Sequence, residues 1–395
     1  MAPLPKSATG YRQSGPPPAA PRRRRAAPQL PSWRIVFCHW ALFAMVVVYF
    51  NLLFAASVWL GITADHLLLA DWGPGQSVPF RILGLLLIAG LLCQFVCHIW
   101  QGILALVTAR QDDSPEVEGE PLDPKRHPEL YDLVAEVGRA VASPLPDTIR
   151  VTHQPQCFVA EVRRFALSTN RRLILVLGLP HLAVLSADEL RVLLAHELAH
   201  FRCGDTTLGV FIYRFLEFLR RCGDRMRRRW WNWFSPIYWL ARGYLFLGMA
   251  LWAPILRQQE LQADRLSAAA YGGALAADTL LKEWLLARQF DVAVAEYAQQ
   301  HPAPAGGASE TVFQYFARRW RPFSNAGRVY LQRRLAEEER LSLFDSHPTI
   351  QARIEAMGDF QAQEPVAAVE RDQAPPWDLA ELEQRLHDRV FQRVA

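Results

Sequence analysis

The chain has 395 residues and a formal net charge of +4 at pH 7, and 51% of its residues are hydrophobic. This length suits one large or two smaller domains with accessory segments, and the apolar content argues against a purely soluble protein. Arginine clusters at 22–25 and between 220 and 229 adjoin apolar segments, so they indicate anionic lipid or topology control rather than nucleic-acid binding. The six cysteines have no C-x-x-C spacing, which argues against a disulfide framework or a cysteine metal site.

The first part of the chain predicts a tail and a membrane anchor. Residues 1–33 are rich in Pro, Ala, Ser and Arg and predict a disordered basic tail. Residues 34–108 predict a transmembrane hairpin, because the runs 35–60 and 82–107 are each apolar and long enough to cross a bilayer. Lys and Arg flank this pair but are missing from 61–80, so the positive-inside rule places both termini in the cytoplasm. Two buried helices of a soluble core are the alternative, but both runs exceed the usual length of core helices.

The second part predicts a soluble domain that is α+β and mainly helical. Residues 109–126 are acidic and contain proline, and they predict a linker to a domain at 127–360. The elements expected in this domain are an amphipathic helix at 128–141, strands at 148–152, 165–168 and 173–177, and helices at 187–203, 266–300 and 326–341. Residues 361–395 predict a linker followed by a final amphipathic helix at 377–393.

The stretch His196-Glu197-Leu198-Ala199-His200 carries the strongest chemical signal. Ser186 followed three residues later by Glu189 is a capping-box pattern, which predicts that a helix begins here and runs through both histidines. Residues i and i+4 share a helix face, so both imidazoles can bind one metal ion with Glu197 beside it. Taken alone, the pattern fits two surface histidines equally well. A catalytic zinc site needs a third protein ligand to decide between them.

Glu260 is the candidate for that third ligand. Residues 257–265 belong to an Ala-rich stretch that favours a helix, and on it Glu260 and Asp264 would share one face. This spacing suits a carboxylate ligand with a supporting carboxylate that orients His196 or His200 through the other ring nitrogen. A solvated acidic pair is the alternative, but the intact H-E-x-x-H stretch argues against it.

An aromatic and apolar insertion, residues 207–256, separates these ligands. For the ligands to share one side, the chain must cross the membrane an even number of times between them. Two full crossings would put the arginines of 220–229 outside, against the positive-inside rule. We therefore expect a membrane-associated helical hairpin on or in the cytoplasmic face, with Trp230, Trp231 and Trp233 at the interface. Two short crossings are the alternative.

Three motifs together resemble a known family. H-E-L-A-H at 196–200, E-L-Q-A-D at 260–264 and S-H-P-T-I-Q-A-R-I at 346–354 are similar to the HtpX and CAAX prenyl protease 1 family of zinc endopeptidases. The resemblance extends over residues 127–358 and includes the order of the elements. It implies a gluzincin peptidase domain with one Zn²⁺ per chain, acting on membrane or misfolded proteins in protein quality control. It also implies a bacterial inner membrane, with the catalytic domain in the cytoplasm.

The resemblance implies roles for further residues. It places His347 beside the metal, as an oxyanion contact or a reversible fourth ligand, although His-Pro is also an ordinary helix start. It makes Arg353 a contact for the substrate carbonyl or transition state, with a structural salt bridge as the alternative. Asp205 matches a family aspartate that supports the ligands. The substrate backbone is expected to add to an edge strand at Phe158, Val159 and Ala160, where the chain departs from the family's Asn-Ala-Phe-like sequence.

The predicted mechanism uses Glu197 as the general base on a zinc-bound water, with the zinc on His196, His200 and Glu260. Two alternatives are a prenyl-protein-processing protease and a non-catalytic zinc-binding membrane scaffold. The prenyl-specific branch has more membrane spans than the two predicted here, and an intact Glu197 argues against a scaffold. The expected partners are a polypeptide substrate and membrane lipid. Nothing in the sequence indicates nucleic acid or an oligomeric state.

Overall fold

The protein has an α+β fold made mainly of helices, as the sequence predicts. The computed structural model describes residues 32–69, 78–107, 119–163, 171–203, 207–228, 233–301, 310–321, 324–338, 345, 347–358, 377 and 379–392. The helices are α1 (Ser32–Leu69), α2 (Val78–Val107), α3 (Pro128–Ala140), α4 (Leu179–Val184), α5 (Ala187–Cys203), α6 (Thr207–Arg227), α7 (Pro236–Tyr271), α8 (Gly273–Gln300), α9 (Val312–Arg319), α10 (Asn325–Glu338), α11 (Ile350–Met357) and α12 (Ala380–Gln392). The strands are β1 (Glu120–Pro121), β2 (Thr148–Thr152), β3 (Cys157–Arg163) and β4 (Arg171–Gly178).

Helices α1 and α2 correspond to the two predicted apolar runs. Helix α1 continues to Leu69 rather than ending at Leu60, because residues 61–69 contain no proline to stop it. Three helical segments of the described chain are long and apolar enough to cross a membrane: Val36–Leu69, Val78–Leu106 and Pro236–Tyr271. The third contains the apolar half of the insertion, for which the sequence favours a membrane-associated hairpin over two short crossings. The predicted tail, apart from its last two residues, lies outside the described part.

Helices α6 and α7 form a hairpin that packs against α1 and α2. The contact is close at Gly248, where an added Cβ would lie 2.3 Å from Leu216 Cδ2 and 3.1 Å from Met45 Cε. Gln94, His98 and Gln101 follow helical spacing on α2 and predict interhelical hydrogen bonds, and the one made by His98 is confirmed. His98 Nε2 and Tyr49 Oη share one of 2.6 Å, and Gln94 Nε2 donates to Ser235 Oγ at 3.1 Å. Because Ser235 precedes α7, the second bond places the turn of the hairpin level with the middle of α2.

The four described strands form one mixed sheet in the order β1-β2-β4-β3. Strands β2 and β4 are parallel, and the other two pairs are antiparallel. Strand β2 matches the predicted 148–152, and β4 contains the predicted 173–177, whereas the predicted strand at 165–168 lies outside the described residues. Strand β1 lies within residues 109–126, so the prediction of a linker is wrong at this strand. A strand of two residues forms only because it pairs with β2, so the local sequence contains no pattern that predicts it.

Strand β3 is an edge strand of this sheet, and α5 follows β4 through the short helix α4. The sheet packs with α3, α5, α8, α9 and α12 around the main core. The predicted apolar face of α3 is confirmed, since Leu130, Leu133, Val134 and Val137 are all buried. The final helix α12 also belongs to this core through Leu382 and Leu386.

The predicted helix at 266–300 is confirmed except at Gly272, where it is interrupted. Helix α7 runs past Pro254 to Tyr271, and α8 begins a new direction at Gly273. The break follows from two glycines. Gly272 has a φ of 96°, which other residues rarely adopt, and a Cβ on Gly273 would lie 2.3 Å from the carbonyl oxygen of Gly358. The neighbouring contact with α11 therefore requires both glycines.

Candidate metal centre and catalytic cavity

Helix α5 carries both histidines, and its bounds match the predicted 187–203. The predicted capping box is confirmed. The backbone N–H of Glu189 donates to Ser186 Oγ at 3.3 Å, and that of Ser186 donates to Glu189 Oε2 at 3.0 Å. One face of the helix packs in the main core through its leucines and valine, so the opposite face presents His196 and His200 to a cavity.

Helix α7 brings Glu260 to the two histidines. His200 Nε2 lies 3.4 Å from His196 Nε2, and the Glu260 carboxylate lies 3.6 Å from each of these nitrogens. Zinc bonds of 2.0–2.1 Å in tetrahedral geometry require donor atoms about 3.3 Å apart. The three donor atoms therefore have the spacing and the chemistry of a zinc site, and they form a group of described residues able to hold a metal ion.

A buried ion pair supports this group from behind. Asp264 is fully buried, and its Oδ1 lies 3.0 Å from His196 Nδ1. Arg353 of α11 donates to both Asp264 oxygens, from Nε at 2.9 Å and from Nη2 at 2.8 Å. The contact with His196 Nδ1 leaves Nε2 of that ring directed at Glu260 and His200. We call His196, Glu260, Asp264 and Arg353 the charged wall of the cavity.

The electrostatics of the site follow from burial and these neighbours. Burial opposes protonation of His196, but the Asp264 and Glu260 carboxylates outweigh it and raise its pKa to about 10. Burial lowers the pKa of His200 to about 4. Burial raises the pKa of Glu197, which is only 8% exposed, to about 8. The negative field that favours a proton on His196 also favours a divalent cation between the donors.

The remaining predicted residues fall in three groups. His347 approaches the centre, with Nδ1 3.5 Å from Glu260 Oε2, while most of its side chain is exposed. Phe158 and Val159 line the cavity from the edge strand β3, whereas Ala160 packs in a small cluster on the sheet. Asp205 lies outside the described residues.

The cavity has a volume of about 660 Å³ and extends well beyond the metal donors. The hairpin lines the cavity with the polar side chains of Tyr213, Glu217, Arg220 and Gln259 and with apolar side chains that the sequence does not assign to the site: Leu216 of α6 and Leu245, Met249, Trp252 and Leu256 of α7. We call these five the apolar wall. Cys157 of β3 and Glu283 of α8 also line the cavity and were missed. Their contact depends on how distant elements pack, so no local sequence signal marks them.

Two histidines one turn apart on a helix, a glutamate beside the first and a carboxylate donor from a second helix together define a metallopeptidase centre. The model of Peptidase family M48 matches residues 124–360, which contain every residue of the two walls. This is more than half of the chain, and the chain belongs to peptidase family M48. Neither the search of curated proteins nor that of solved structures found a match.

Proposed function

We propose that this protein is a membrane-anchored zinc-dependent endopeptidase of the HtpX-like branch, with Glu197 as its general base. One observation carries the proposal: a glutamate that is 8% exposed lies beside three donors with zinc spacing, inside a cavity large enough for a peptide. A non-catalytic scaffold would gain nothing from a buried carboxylate there, because burying one costs free energy.

The residues of the chain supply positioning and proton transfer. A zinc ion held by His196, His200 and Glu260 would supply Lewis-acid polarisation of the scissile carbonyl and lower the pKa of water. Glu197 takes the proton of the attacking water and gives it to the leaving amine. Its raised pKa of about 8 suits a group that gains and loses a proton near neutrality. Arg353 acts as a positioning residue, because its bidentate bond holds Asp264 against His196.

The outer surface of the helices supports a membrane location. Phe54, Trp59 and Phe80 are 65%, 66% and 76% exposed on α1 and α2. Exposed apolar surface of this extent is stable in lipid and unfavourable in water. The hairpin turn lies level with the middle of α2, so the hairpin would dip into the bilayer from the side of the catalytic domain. The arginines that flank the pair α1 and α2 in the sequence lead us to place that side at the cytoplasmic face of a bacterial inner membrane.

The apolar wall favours membrane or misfolded polypeptides as substrates. Such chains expose apolar side chains that folded soluble proteins bury. Strand β3 offers its free edge beside the metal donors, and a substrate backbone would add to it near Phe158 and Val159. His347, mostly exposed and in contact with Glu260, would contact the oxyanion of the substrate.

The test uses purified full-length protein in detergent. We expect one zinc per chain and cleavage of casein that a chelator stops and added zinc restores. Glu197→Gln should keep the metal and lose cleavage by about a thousandfold or more. Glu129→Gln, on the surface of α3, is the matched control and should cleave as the wild type does. Substantial cleavage by Glu197→Gln would overturn its role.

A prenylated peptide provides the comparison with the prenyl-specific branch. We expect casein cleavage without dependence on the prenyl group, measured with the same peptide in prenylated and unmodified form. Cleavage confined to the prenylated peptide would reassign the branch while leaving the metallopeptidase class in place.

A further inference from the structure

Glu283 is an acidic side chain of the cavity that the mechanism above does not use. It belongs to α8, which packs against α5, and the preceding Lys282 forms an ion pair with Glu189 at the start of α5. This pair ties α8 to the helix that carries the catalytic residues. Glu283 itself lines the cavity, together with Glu197 and with Cys157 at the start of β3.

The Glu283 carboxylate lacks a donor within the described part of the chain. No described residue gives it a hydrogen bond, and the nearby Arg353 already donates to both oxygens of Asp264. Burial raises the pKa of Glu283, although the charge of Arg353 opposes this. A carboxylate in such surroundings is stabilised by a cation that enters the cavity with a ligand.

The position of Glu283 relative to the strand edge restricts what that ligand is. Cys157 and Glu283 line one cavity from β3 and α8, so a peptide added along β3 would lie in the same cavity as the Glu283 carboxylate. Successive side chains of an extended chain point to opposite sides, so a side chain of that peptide points toward α8. The apolar wall lines another part of the same cavity.

We propose that Glu283 forms a subsite for a lysine or arginine side chain next to the scissile bond, and that the apolar wall holds the apolar stretch adjoining it. An apolar stretch followed by basic residues is the composition at the cytoplasmic end of a membrane span. The substrate class is therefore a polypeptide cut at the junction between an apolar segment and its basic flank. This inference rests on the proposed peptidase function and goes beyond it to specificity.

A second metal ion at Glu283 is the competing explanation, and the chemistry of the surroundings disfavours it. Among the described residues, the group able to hold a metal consists of His196, His200 and Glu260 and does not include Glu283. A basic side chain needs only one carboxylate and brings its own donors.

The experiment compares three peptides that share one apolar stretch and carry Lys, Gln or Glu beside the cleaved bond. For the wild type we expect kcat/KM for the Lys peptide to be about tenfold above the Gln peptide, as for a hydrogen bond to a charged group. Glu283→Gln should remove this preference, and Glu283→Lys should reverse it in favour of the Glu peptide. Asp291→Asn, an exposed residue of the same helix outside the cavity, is the matched control and should keep the wild-type preference.

Two results would overturn the subsite. One is a wild type that cleaves the three peptides equally. The other is a Glu283→Gln variant that loses the same factor on all three, because that pattern belongs to a residue acting through Glu197. Mapping of casein cleavage sites by mass spectrometry supplies an independent readout, with Lys or Arg enriched beside the cut for the wild type and not for Glu283→Gln. Absence of any chelator-sensitive cleavage of casein would instead contradict the proposed function itself.

Discussion

One wall of the catalytic cavity is a network of charged side chains, and the second wall is a group of apolar side chains from the hairpin. In the charged wall, each group has a defined partner at 2.8–3.6 Å, as in the contacts of Asp264 with Arg353 and of His196 with Glu260. In the apolar wall, contacts are non-directional and depend on packing against α1 and α2. We infer that the first wall sets the chemistry and that the second sets which chains are held.

The largest effect is expected from removing Glu260, the metal donor on the helix that also carries most of the apolar wall. Glu260→Ala deletes the third ligand, so bound metal should be lost and cleavage should fall by about a thousandfold or more. Metal content by elemental analysis and casein cleavage are the measurements. Gln262→Ala, an exposed residue of the same helix, should retain both metal and activity. Full metal content in Glu260→Ala would show that another residue is the ligand.

The next effect tests the support of the charged wall. Asp264→Asn keeps the shape of the side chain but removes the charge that orients His196, and we expect metal affinity to fall about 10- to 100-fold. Competition with a chelator of known affinity measures this change. Affinity equal to the wild type would mean that Asp264 only pairs with Arg353.

A smaller effect is expected in the apolar wall. Leu245→Ala removes apolar contact with the substrate while leaving every metal contact in place, so KM for an apolar peptide should rise about five- to tenfold with kcat and metal content unchanged. The matched control is Leu247→Ala, 48% exposed on the same helix and outside the cavity. A fall in kcat without a change in KM would contradict the division between the walls.

The smallest effect concerns a part of the core remote from both walls. The backbone N–H of Val312 donates to Nδ1 of His387 at 3.1 Å, and burial lowers the pKa of this histidine. The folded state favours the neutral ring of His387. The contribution of this ring to the free energy of unfolding is therefore fully present above the unfolded pKa of about 6.5, and it decreases as the pH falls below that value. Thermal unfolding should therefore be less pH-sensitive in His387→Gln between about pH 7.5 and pH 5. Equal pH sensitivity in the wild type and in His387→Gln would exclude His387 as the source of the pH dependence. The substitution should leave the chemistry of the cavity unchanged.

The charged wall was largely predictable from the sequence because its signals are local. The His196 helix is marked by its capping box and by i, i+4 spacing, and Glu260 with Asp264 repeats that spacing two helices later. The residues that the structure adds depend on distant contacts. Helix α8 brings Glu283 to the cavity only because Gly272 and Gly273 turn the chain against α11.

The apolar wall was not predictable for a related reason. Residues 207–256 have the composition of a membrane segment, so their apolar side chains are accounted for by lipid alone. The structure shows that Leu245 and Met249 face the cavity while Phe246 and Leu247 are exposed. The packing of α7 against α1 and α2 determines which side of this helix faces the cavity. The composition of an apolar helix does not predict that side.

The order of the ligands along the chain has a further consequence. His200 precedes the α6–α7 hairpin and Glu260 follows it, so a bound metal closes a loop that contains the entire hairpin. A metal that binds only the folded centre would stabilise this loop by its binding free energy, because the unfolded chain does not hold the three donors together. The metal would then serve as a structural link as well as a reagent. Because Glu260 follows the hairpin in the chain, the three donors cannot meet until the hairpin has folded back.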